Sequence, residues 1–457
     1  MQRHTFTKRS RIAASASEVF AWHKRPGAFD RYNPPWEPAQ VVERTGGIEN
    51  GSRAVLLVPV GLWRQRWVAE HCDYEENRQF RDIQQEGPFA LWDHTHRIEP
   101  DGPDACFVED TVEYALPLGP IGGVMAGAVG KRLALTFNYR HEVLRDDMAA
   151  HQTCKPHPAA RVLVSGSHGL VGTALVPFLT TGGHGVTRLV RGGAAAPDAV
   201  KWDTEESINP ENLEGFDAVI HLAGENIASG RWNEAKKAAI RDSRVKSTRA
   251  LAKALAQVKS PPRVLVCASA IGYYGDRGDE ELTESSTAGS GFLAEVCRDW
   301  EAAAAPARER GIRTVHVRFG VILSPQGGAL AKMLLPFRLG AGGRIGSGRQ
   351  WMSWMGIHDA VGAIHHAVHT DALAGPVNVV APNPVANAEF TRVLGRVLHR
   401  PTIMPMPAFA ARLALGEMAN ELLLASQRVK PTRLLETGYD FRHRDLEPAL
   451  RHILGRD

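Results

Sequence analysis

The chain has 457 residues, enough for two or three domains, and its formal charge of +4 at pH 7 is small for that length. Its 44% hydrophobic and 23% charged residues are typical of a globular protein, and no basic run suggests nucleic-acid binding. The longest uncharged stretch, residues 114–130, is shorter than the ~20 residues of a membrane span, so we expect no membrane partner.

The cysteines and the N-terminus bear on compartment and metal binding. Five cysteines are scattered along the chain without a Cys-x-x-Cys pair, which favours a reducing compartment and argues against a zinc site. The first ten residues lack the apolar segment of a secretion signal. We therefore expect a cytoplasmic protein with no metal centre.

Residues 1–148 show the alternation that is typical of half-buried strands. A short helix is predicted to start at Ser17, with Glu18 in its first turn, and a long helix over 121–145. This order predicts an antiparallel sheet curved around the long helix, with a cavity between them. The predicted strands are 5–12, 40–44, 52–60, 63–72, 78–84, 91–98 and 106–116.

Two segments of this region resemble the SRPBCC (START-like) superfamily: Ser-Ala-Ser-Glu-Val-Phe-Ala-Trp-His at 15–23 and Phe-Asn-Tyr-Arg-His-Glu at 137–142. The resemblance implies a helix-grip domain with a pocket for an apolar ligand. Three tryptophans could line that pocket, although packing in the core is the favoured interpretation. They are Trp63, Trp67 and Trp92.

His141 and Glu142 could form an acid–base pair within the same region. Their place near the end of an amphipathic helix favours a solvated or structural role instead. We therefore assign them no catalytic function.

Residues 146–160 have no periodicity and contain two prolines, so they predict a domain boundary. We divide the chain into 1–148, a linker at 149–159, and 160–457, with a C-terminal cap from about residue 400. The second part predicts an α/β doubly wound parallel sheet, preceded by the α+β domain, because its strands lack polar alternation. Its predicted strands are 162–165, 185–190, 217–222, 263–268 and 313–318, and its helices 170–181, 232–257 and 291–309.

Residues 161–172 predict a strand, a tight turn and the start of a helix in immediate succession. Glycines in the turn would let a pyrophosphate approach the backbone at a helix N-terminus, although an ordinary glycine-rich turn is the alternative. The residues predicted to contact the cofactor here are Gly166, Ser167, His168, Gly169, Leu170, Val171 and Gly172.

Arg191 follows the second strand of this unit, where an NAD site would carry Asp or Glu. A guanidinium can hold a 2′-phosphate that a carboxylate would repel, so the predicted cofactor is NADP(H). A solvated strand-end residue is the alternative for Arg191. Arg244, on a later helix, could reach phosphate or lie on the surface. The turn after the 217–222 strand would admit the cofactor ribose and contributes Leu222, Ala223, Gly224 and Glu225.

Residues 160–457 resemble the extended short-chain dehydrogenase/reductase (SDR) family, in an atypical branch that is similar to nucleoside-diphosphate-sugar epimerases. The resemblance implies NADP(H) contacts at Val190 and Ile322, besides Arg191, Leu222, Ala223 and Arg244, and the predicted set includes Val321. The matching text includes Gly-Ser-His-Gly-Leu-Val-Gly (166–172), His-Leu-Ala-Gly-Glu-Asn (221–226), Ser-Ala-Ile-Gly-Tyr-Tyr-Gly-Asp (269–276) and Arg-Phe-Gly-Val-Ile-Leu-Ser (318–324).

SDR enzymes use a Tyr-x-x-x-Lys pair, but the corresponding positions here are Phe292 and Val296. Phenylalanine cannot transfer a proton, and valine cannot lower the pKa of a proton donor as the lysine of the pair does. Ordinary SDR chemistry is therefore in doubt. The predicted catalytic substitutes are Ser269, Tyr273 and Tyr274, with packing as the alternative for the two tyrosines.

The glycine-rich segment 327–354 is predicted to lie over the cofactor cleft. Its arginines and tryptophans suit a planar or anionic substrate such as a nucleotide sugar, and a plain flexible loop is the alternative. The predicted substrate-binding residues are Arg344, Arg349, Trp351 and Trp354.

These residues predict a protein that acts on a small carbonyl or alcohol substrate as an NADP(H)-dependent oxidoreductase or epimerase. The SDR resemblance also implies a homodimer, whose contact the N-terminal region could block. One alternative is a non-catalytic NADP(H)-sensing protein. Another places the chemistry in the N-terminal domain, as a cyclase or lipid carrier.

Overall fold

The alternation in the first third of the chain produces seven antiparallel strands in the computed structural model. They are β1 (His4–Ile12), β2 (Gln40–Thr45), β3 (Arg53–Val60), β4 (Trp63–Glu75), β5 (Gln79–Glu86), β6 (Leu91–Pro100) and β7 (Cys106–Ala115). The accompanying helices are α1 (Ala16–Lys24), α2 (Ala28–Tyr32) and α3 (Pro120–Thr153).

The strands of this sheet are ordered β1-β7-β6-β5-β4-β3-β2, and α3 packs on β1 and α2. The antiparallel sheet with its long helix confirms the predicted helix-grip class. Helix α1 begins after Ser15 rather than at Ser17, because the Ser15 hydroxyl accepts from Glu18 N–H and the Glu18 carboxylate accepts from Ser15 N–H. Helix α3 extends eight residues past the predicted end.

The structure describes residues 2–61, 63–117, 120–153, 159–192, 198–202 and 208–456, without the side chains of 120–124. The chain divides into two compact units, of which the first holds residues 1–156 with 180–183 and 452–457, and the second the remainder. The predicted linker is helical as far as Thr153, and its residues 154–158 lie outside the described part.

The second unit begins with the predicted alternation of strands and helices. Its first elements are β8 (Arg161–Ser165), α4 (Leu170–Thr181), β9 (Gly185–Val190), β10 (Ala199–Lys201), β11 (Ala218–His221), α5 (Glu234–Leu255), β12 (Val264–Ala270), β13 (Glu281–Leu282), α6 (Phe292–Ala302), α7 (Ala305–Glu309) and β14 (Arg313–Phe319). The one helix predicted over 291–309 is two helices because Pro306 lacks the N–H that a continuous helix needs.

Shorter elements complete this unit. They are β15 (Val321–Leu323), α8 (Gly328–Arg338), β16 (Trp351–Met352), β17 (Trp354–Gly356), α9 (Ile357–His369), β18 (Gly375–Val379), β19 (Val385–Ala386), α10 (Asn387–Leu398), α11 (Ala408–Leu415), α12 (Glu417–Ala419), β20 (Arg428–Val429), α13 (Thr432–Glu436) and α14 (Leu446–Leu454). Single 3-10 turns lie at Pro210–Leu213 and Ile271–Tyr274, and a π turn at Asn420–Leu424.

The central sheet of the second unit has the order β10-β9-β8-β11-β12-β14-β18, and every pairing within it is parallel. The direction of winding reverses at β8, between its neighbours β9 and β11. This is the doubly wound arrangement that the sequence predicts, and ligands bind at such a reversal. No helix of the described residues is both long and apolar enough to cross a membrane.

Candidate functional site

A cleft of about 500 Å³ opens at the carboxyl ends of β8, β9 and β11, where the winding reverses. Many of the predicted cofactor residues meet here, which places the glycine turn and two later strand ends in one site. The cleft is lined by Ser165, Gly166, Ser167, His168, Gly169, Arg188, Leu189, Val190, Arg191, Gly192, Asp198, Ala199, Trp202, Leu222, Ala223 and Gly224.

The glycine turn is constrained by the chain itself. Gly166 has a φ of +71°, and a Cβ there would lie 2.6 Å from the main-chain carbonyl carbon of Leu222. A Cβ at Gly172 would lie 2.3 Å from the Gly166 carbonyl oxygen. These two glycines therefore let β8, β11 and α4 approach each other, and the turn between them exposes its main chain to the cleft.

Two arginines line the cleft near the end of β9, and they differ in their partners. Arg188 Nη1 lies 2.5 Å from Asp198 Oδ2, so a carboxylate already compensates its charge. Arg191 is exposed and makes no hydrogen bond or ion pair with any residue that the structure describes. Arg191 thus offers an uncompensated positive charge at the end of the strand where a 2′-phosphate would lie.

Other predicted cofactor residues support the cleft without lining it. Leu170, Val171 and Gly172 form the first turn of α4, and Val321 and Ile322 form β15, which pairs with β17. The Glu225 carboxylate forms an ion pair with Lys236. These side chains lie outside the cleft's lining, and any contact with a cofactor remains a prediction.

Arg244 is partly buried and is not among the residues that line the cleft. Its guanidinium donates to the Ile240 carbonyl at 3.0 Å and lies 5.1 Å from the centre of the Trp300 ring. A Cβ at Gly224 would lie 3.2 Å from its Cζ, so Arg244 lies directly against the turn after β11. Burial lowers the pKa of Arg244, which means that an anion bound nearby would compensate a partly desolvated charge.

A buried hydrogen-bonded chain behind the cleft was not predicted from the sequence. His221 Nδ1 lies 2.6 Å from Ser165 Oγ, and its Nε2 lies 3.3 Å from Ser247 Oγ. Because the Ser247 hydroxyl donates to Ser243 O, the imidazole is a neutral ring protonated on Nε2. Burial lowers the pKa of His221 to about 4, so this ring stays neutral and ties β8, β11 and α5 together.

Two of the three predicted catalytic residues are held in a buried network. Ser269 is 2% exposed and donates to Glu301, which also accepts from Arg318 at 2.7 Å. Tyr274 has no exposed surface, accepts from Arg318 at 3.0 Å, and has its hydroxyl 2.7 Å from Asn378 Oδ1. Burial raises the pKa of Tyr274 to about 12, and a direct catalytic role for Tyr274 or Ser269 stays a prediction.

Tyr273 differs from its neighbour. It is half-buried, and its hydroxyl makes no hydrogen bond to any described residue. The Arg318 guanidinium lies 3.5 Å from the centre of its ring. The remaining positions of the SDR pair offer no replacement, since Phe292 packs against Trp232 and Val296 is 1% exposed. A catalytic role for Tyr273 stays a prediction.

The predicted substrate residues differ in their exposure. Arg344 and Arg349 are exposed. Trp351 is partly buried, donates from Nε1 to Asp279 at 2.9 Å and stacks with Arg428. Trp354 has no exposed surface, so it belongs to the core and cannot stack on a ligand, which corrects its prediction.

The three tryptophans considered for a pocket in the first unit lie in different environments. Trp67 and Trp92 pack edge to face with ring centres 5.0 Å apart, in a cluster with Phe137 of α3 that occupies the interior. This confirms core packing for these two. Trp63 is 81% exposed, so neither the pocket nor the core interpretation holds for it.

His141 is buried rather than solvated, and its Nε2 lies 2.6 Å from Asp110 Oδ2. A small cavity of about 110 Å³ next to it is lined from β1 and α3. Glu142 lies beside that cavity. The favoured structural role of His141 is therefore borne out by its buried partner.

Family models match three segments of the chain. Residues 162–380 match the NAD-dependent epimerase/dehydratase family, residues 12–142 the family of polyketide cyclases/dehydrases and lipid transport proteins, and residues 406–453 a domain family of unknown function. These matches confirm both resemblances that the sequence motifs indicated.

Relatives extend these matches. An epimerase family protein of Mycobacterium bovis is 44% identical over 298 residues, covering 65% of this chain and 98% of the relative. The crystal structure of a nucleoside-diphosphate sugar epimerase from Corynebacterium glutamicum is 34% identical, with a TM-score of 0.81, and covers 98% of this chain and 90% of that one. A crystal structure of a human epimerase family protein with NADPH is 38% identical, with a TM-score of 0.60, and covers 64% of this chain and 99% of the human one.

Proposed function

The chain belongs to the epimerase family, and on that premise we propose that its second unit binds NADP(H) and transfers a hydride to or from a carbonyl or alcohol carbon of a small substrate. The observation that carries the proposal is Arg191, an uncompensated cation in the cleft at the winding reversal. The NADPH in the human relative's crystal structure supports the same cofactor.

The residues of the cleft fit a dinucleotide phosphate. The cleft of about 500 Å³ has the size of a small-ligand site, and residues of the glycine turn line it just before the start of α4. Arg188 is held by Asp198, so Arg191 is the arginine at the end of β9 that can bind a 2′-phosphate without first breaking an ion pair.

NADP(H), when bound, supplies or accepts the hydride. The chain would supply or remove the accompanying proton, and Tyr273 is the phenol we assign to that step. Arg318, fixed by Glu301, holds the Tyr273 ring from one face at 3.5 Å. Ser269 and Tyr274 act through this network by holding Glu301 and Arg318 in place, so they are positioning residues.

The substrate class that we propose is a nucleotide sugar or a similarly planar anion. Arg344 and Arg349 carry exposed positive charge on the glycine-rich segment, and Trp351 has a partly exposed ring. The Corynebacterium relative is a nucleoside-diphosphate sugar epimerase, which supports this class.

Fluorescence titration of the purified full chain with NADPH and NADH tests the cofactor assignment. We expect Arg191→Glu to weaken NADPH binding by about 100-fold and to change NADH binding by less than about threefold, because a charge-assisted bidentate contact becomes a repulsion. Arg188→Gln is the matched control from the same cleft, and a smaller effect on NADPH is expected. Equal loss of NADPH affinity in the two variants would reject the role of Arg191.

A non-catalytic NADP(H) sensor is the second candidate, favoured by the replacement of the SDR pair with Phe292 and the buried Val296. The two candidates differ in the effect of Tyr273→Phe. An enzyme would lose hydride transfer to carbonyl substrates by about 100-fold or more while keeping NADPH affinity. A sensor would show no transfer in either form and a change in protease sensitivity when NADPH binds.

The cysteines of the chain bear on the cellular compartment in which the protein works. Cys72, Cys106, Cys267 and Cys297 are free thiols. We propose a reducing, cytoplasmic compartment because the sequence contains no Cys-x-x-Cys pair.

A further inference from the structure

A group of imidazoles and carboxylates lies inside the first unit, and none of its members takes part in the proposed cofactor chemistry. His94 and His96 occupy alternate positions on β6, so both side chains point to the buried face of the sheet. The flanking strands β5 and β7 place Asp82 opposite His94 and Asp110 opposite His96. Three adjacent strands therefore deliver two histidines and two aspartates to one interior point.

Three of these side chains converge as ligands would. One donor atom from each of Asp82, His94 and His96 lies within 4.8 Å of the other two. Asp82 Oδ2 is 2.9 Å from His94 Nδ1 and 3.9 Å from His96 Nε2. In a tetrahedral zinc site, two ligand atoms that each lie about 2.0 Å from the metal are about 3.3 Å apart. One of the two separations measured here is shorter than this spacing, and the other is longer.

Asp82 and His94 lie in close contact inside this group. Asp82 Oδ2 is buried and accepts no hydrogen bond from any described residue, although the His94 nitrogen is 2.9 Å away. A buried carboxylate oxygen without a donor is costly. The 2.9 Å separation of Asp82 Oδ2 and His94 Nδ1 fits an ion pair in the metal-free chain, and a bound cation would take the place of the proton between them.

Asp110 supplies the outer support that metal-binding histidines have. Its Oδ1 accepts from His94 Nε2 at 2.9 Å and lies 2.6 Å from His96 Nδ1, so it contacts the nitrogen of each ring that faces away from Asp82. Its Oδ2 lies 2.6 Å from His141 Nε2, which anchors the carboxylate to α3. The hydrogen bond from His94 to Asp110 fixes the orientation of the His94 ring and makes it a stronger donor, and the same carboxylate lies in contact with His96 Nδ1.

We propose that Asp82, His94 and His96 bind a divalent transition-metal ion of the zinc class, and that Asp110 and His141 hold the two histidines in position. Two imidazoles and one carboxylate suit zinc, cobalt or ferrous iron rather than magnesium or calcium, which prefer oxygen donors alone. Three protein ligands leave a fourth position for water. Cysteine spacing gave no sign of this site because no ligand is a cysteine.

Titration of the chelator-treated full-length chain with Zn²⁺ and with Co²⁺ tests the proposal. The two readouts are bound metal per chain and the visible d–d absorption of Co²⁺. Wild type is expected to bind the ion and to give the absorption of a nitrogen–oxygen site, and Mg²⁺ is expected not to compete. Failure of the wild-type chain to bind either ion at micromolar concentration would overturn the proposal.

Variants locate the ion. Asp82→Asn and His96→Gln are expected to weaken Co²⁺ binding by more than about 100-fold, and Asp110→Asn by about 10- to 100-fold. Asp93→Asn is the matched control, because Asp93 adjoins His94 on β6 but is not one of the converging ligands. Unchanged Co²⁺ affinity and absorption in both Asp82→Asn and His96→Gln would overturn the proposal.

A second group of potential metal ligands requires a further control in the metal titration. His184, His365 and His369 in the second unit also lie within ligand distance of one another. His365→Gln is expected to leave the cobalt spectrum assigned to Asp82, His94 and His96 unchanged, and loss of the whole signal in that variant would overturn the assignment. Circular dichroism of each metal-free variant separates loss of the ligand from loss of the fold. A rise of the wild-type melting temperature on addition of zinc, which Asp82→Asn is expected to abolish, gives an independent readout.

Discussion

The cleft of the second unit is formed largely by main chain and small residues, with Gly166, Ala223 and Gly224 at its centre and one uncompensated arginine at its edge. The interior of the first unit instead gathers long polar side chains, with Asp110 contacting three imidazoles. A main-chain site depends on local turn geometry. A side-chain cluster depends on the register of several strands, so the two regions should respond differently to substitution.

The largest expected effect is at Asp110. Burial by itself would raise the pKa of Asp110, but His96, His141 and His94 hold it well below its usual value, so Asp110→Ala removes an ionised carboxylate from three buried rings. We expect a loss of about 3–5 kcal/mol in the free energy of unfolding of the first unit, measured by urea denaturation. Glu109→Ala, the neighbouring position on β7, should cost less than about 1 kcal/mol because its ion pair with Arg9 is exposed. Similar losses in both variants would contradict the special role of the buried cluster.

Gly166→Val tests the main-chain region. The side chain would enter the space of the Leu222 carbonyl, and φ of +71° is unfavourable for a β-branched residue. We expect a cost of at least about 2 kcal/mol in the melting of the second unit and loss of NADPH binding. Gly169→Ala is the control, since its Cβ would lie 3.3 Å from one carbonyl oxygen only and the expected effect is milder. A Gly166→Val protein that binds NADPH normally would show that the turn does not form the site.

The pH dependence of stability gives an intermediate effect at His221. Its pKa is about 4 in the folded chain, against about 6.5 in an unfolded one, so the unfolded state binds the proton more readily. The contribution of the neutral ring is fully present above about pH 6.5 and is lost as pH falls toward about 4, at up to about 1.4 kcal/mol per pH unit. His221→Gln should flatten this slope for the second unit in urea titrations between pH 7 and pH 4. An unaltered slope would assign the pH dependence to other groups.

The smallest expected effect concerns the cap of α1. Ser15→Ala removes the hydroxyl that accepts from Glu18 N–H and should cost about 1 kcal/mol in the unfolding of the first unit. Ser17→Ala, the start predicted from the sequence, should cost less than about 0.5 kcal/mol because Ser17 does not cap the helix. A larger loss at Ser17 than at Ser15 would contradict the observed capping box.

Most of the fold could be predicted from the sequence, because period-2 alternation and unbroken apolar strands are local patterns. The glycine turn and the Arg191 position were readable for the same reason, since a strand, turn and helix follow one another within a few residues. The prediction of a single helix over 291–309 was wrong, because Pro306 interrupts the helix. The start of α1 was predicted at Ser17, whereas Ser15 caps the helix.

The side-chain sites were decided by tertiary structure. Tyr273 and Tyr274 are adjacent in the sequence, but packing with Arg318 and Asn378 buries one phenol completely and leaves the other half-buried. Trp354 was predicted to stack on a substrate, but its side chain is completely buried in the folded chain.

The sequence by itself determined the order of elements and the charge offered to a cofactor, since each depends on residues close together in the chain. Strand register alone brought Asp82 and Asp110 to either side of His94 and His96. A shift of one residue in either pairing would send the opposing side chain to the other face, and no local pattern encodes that choice.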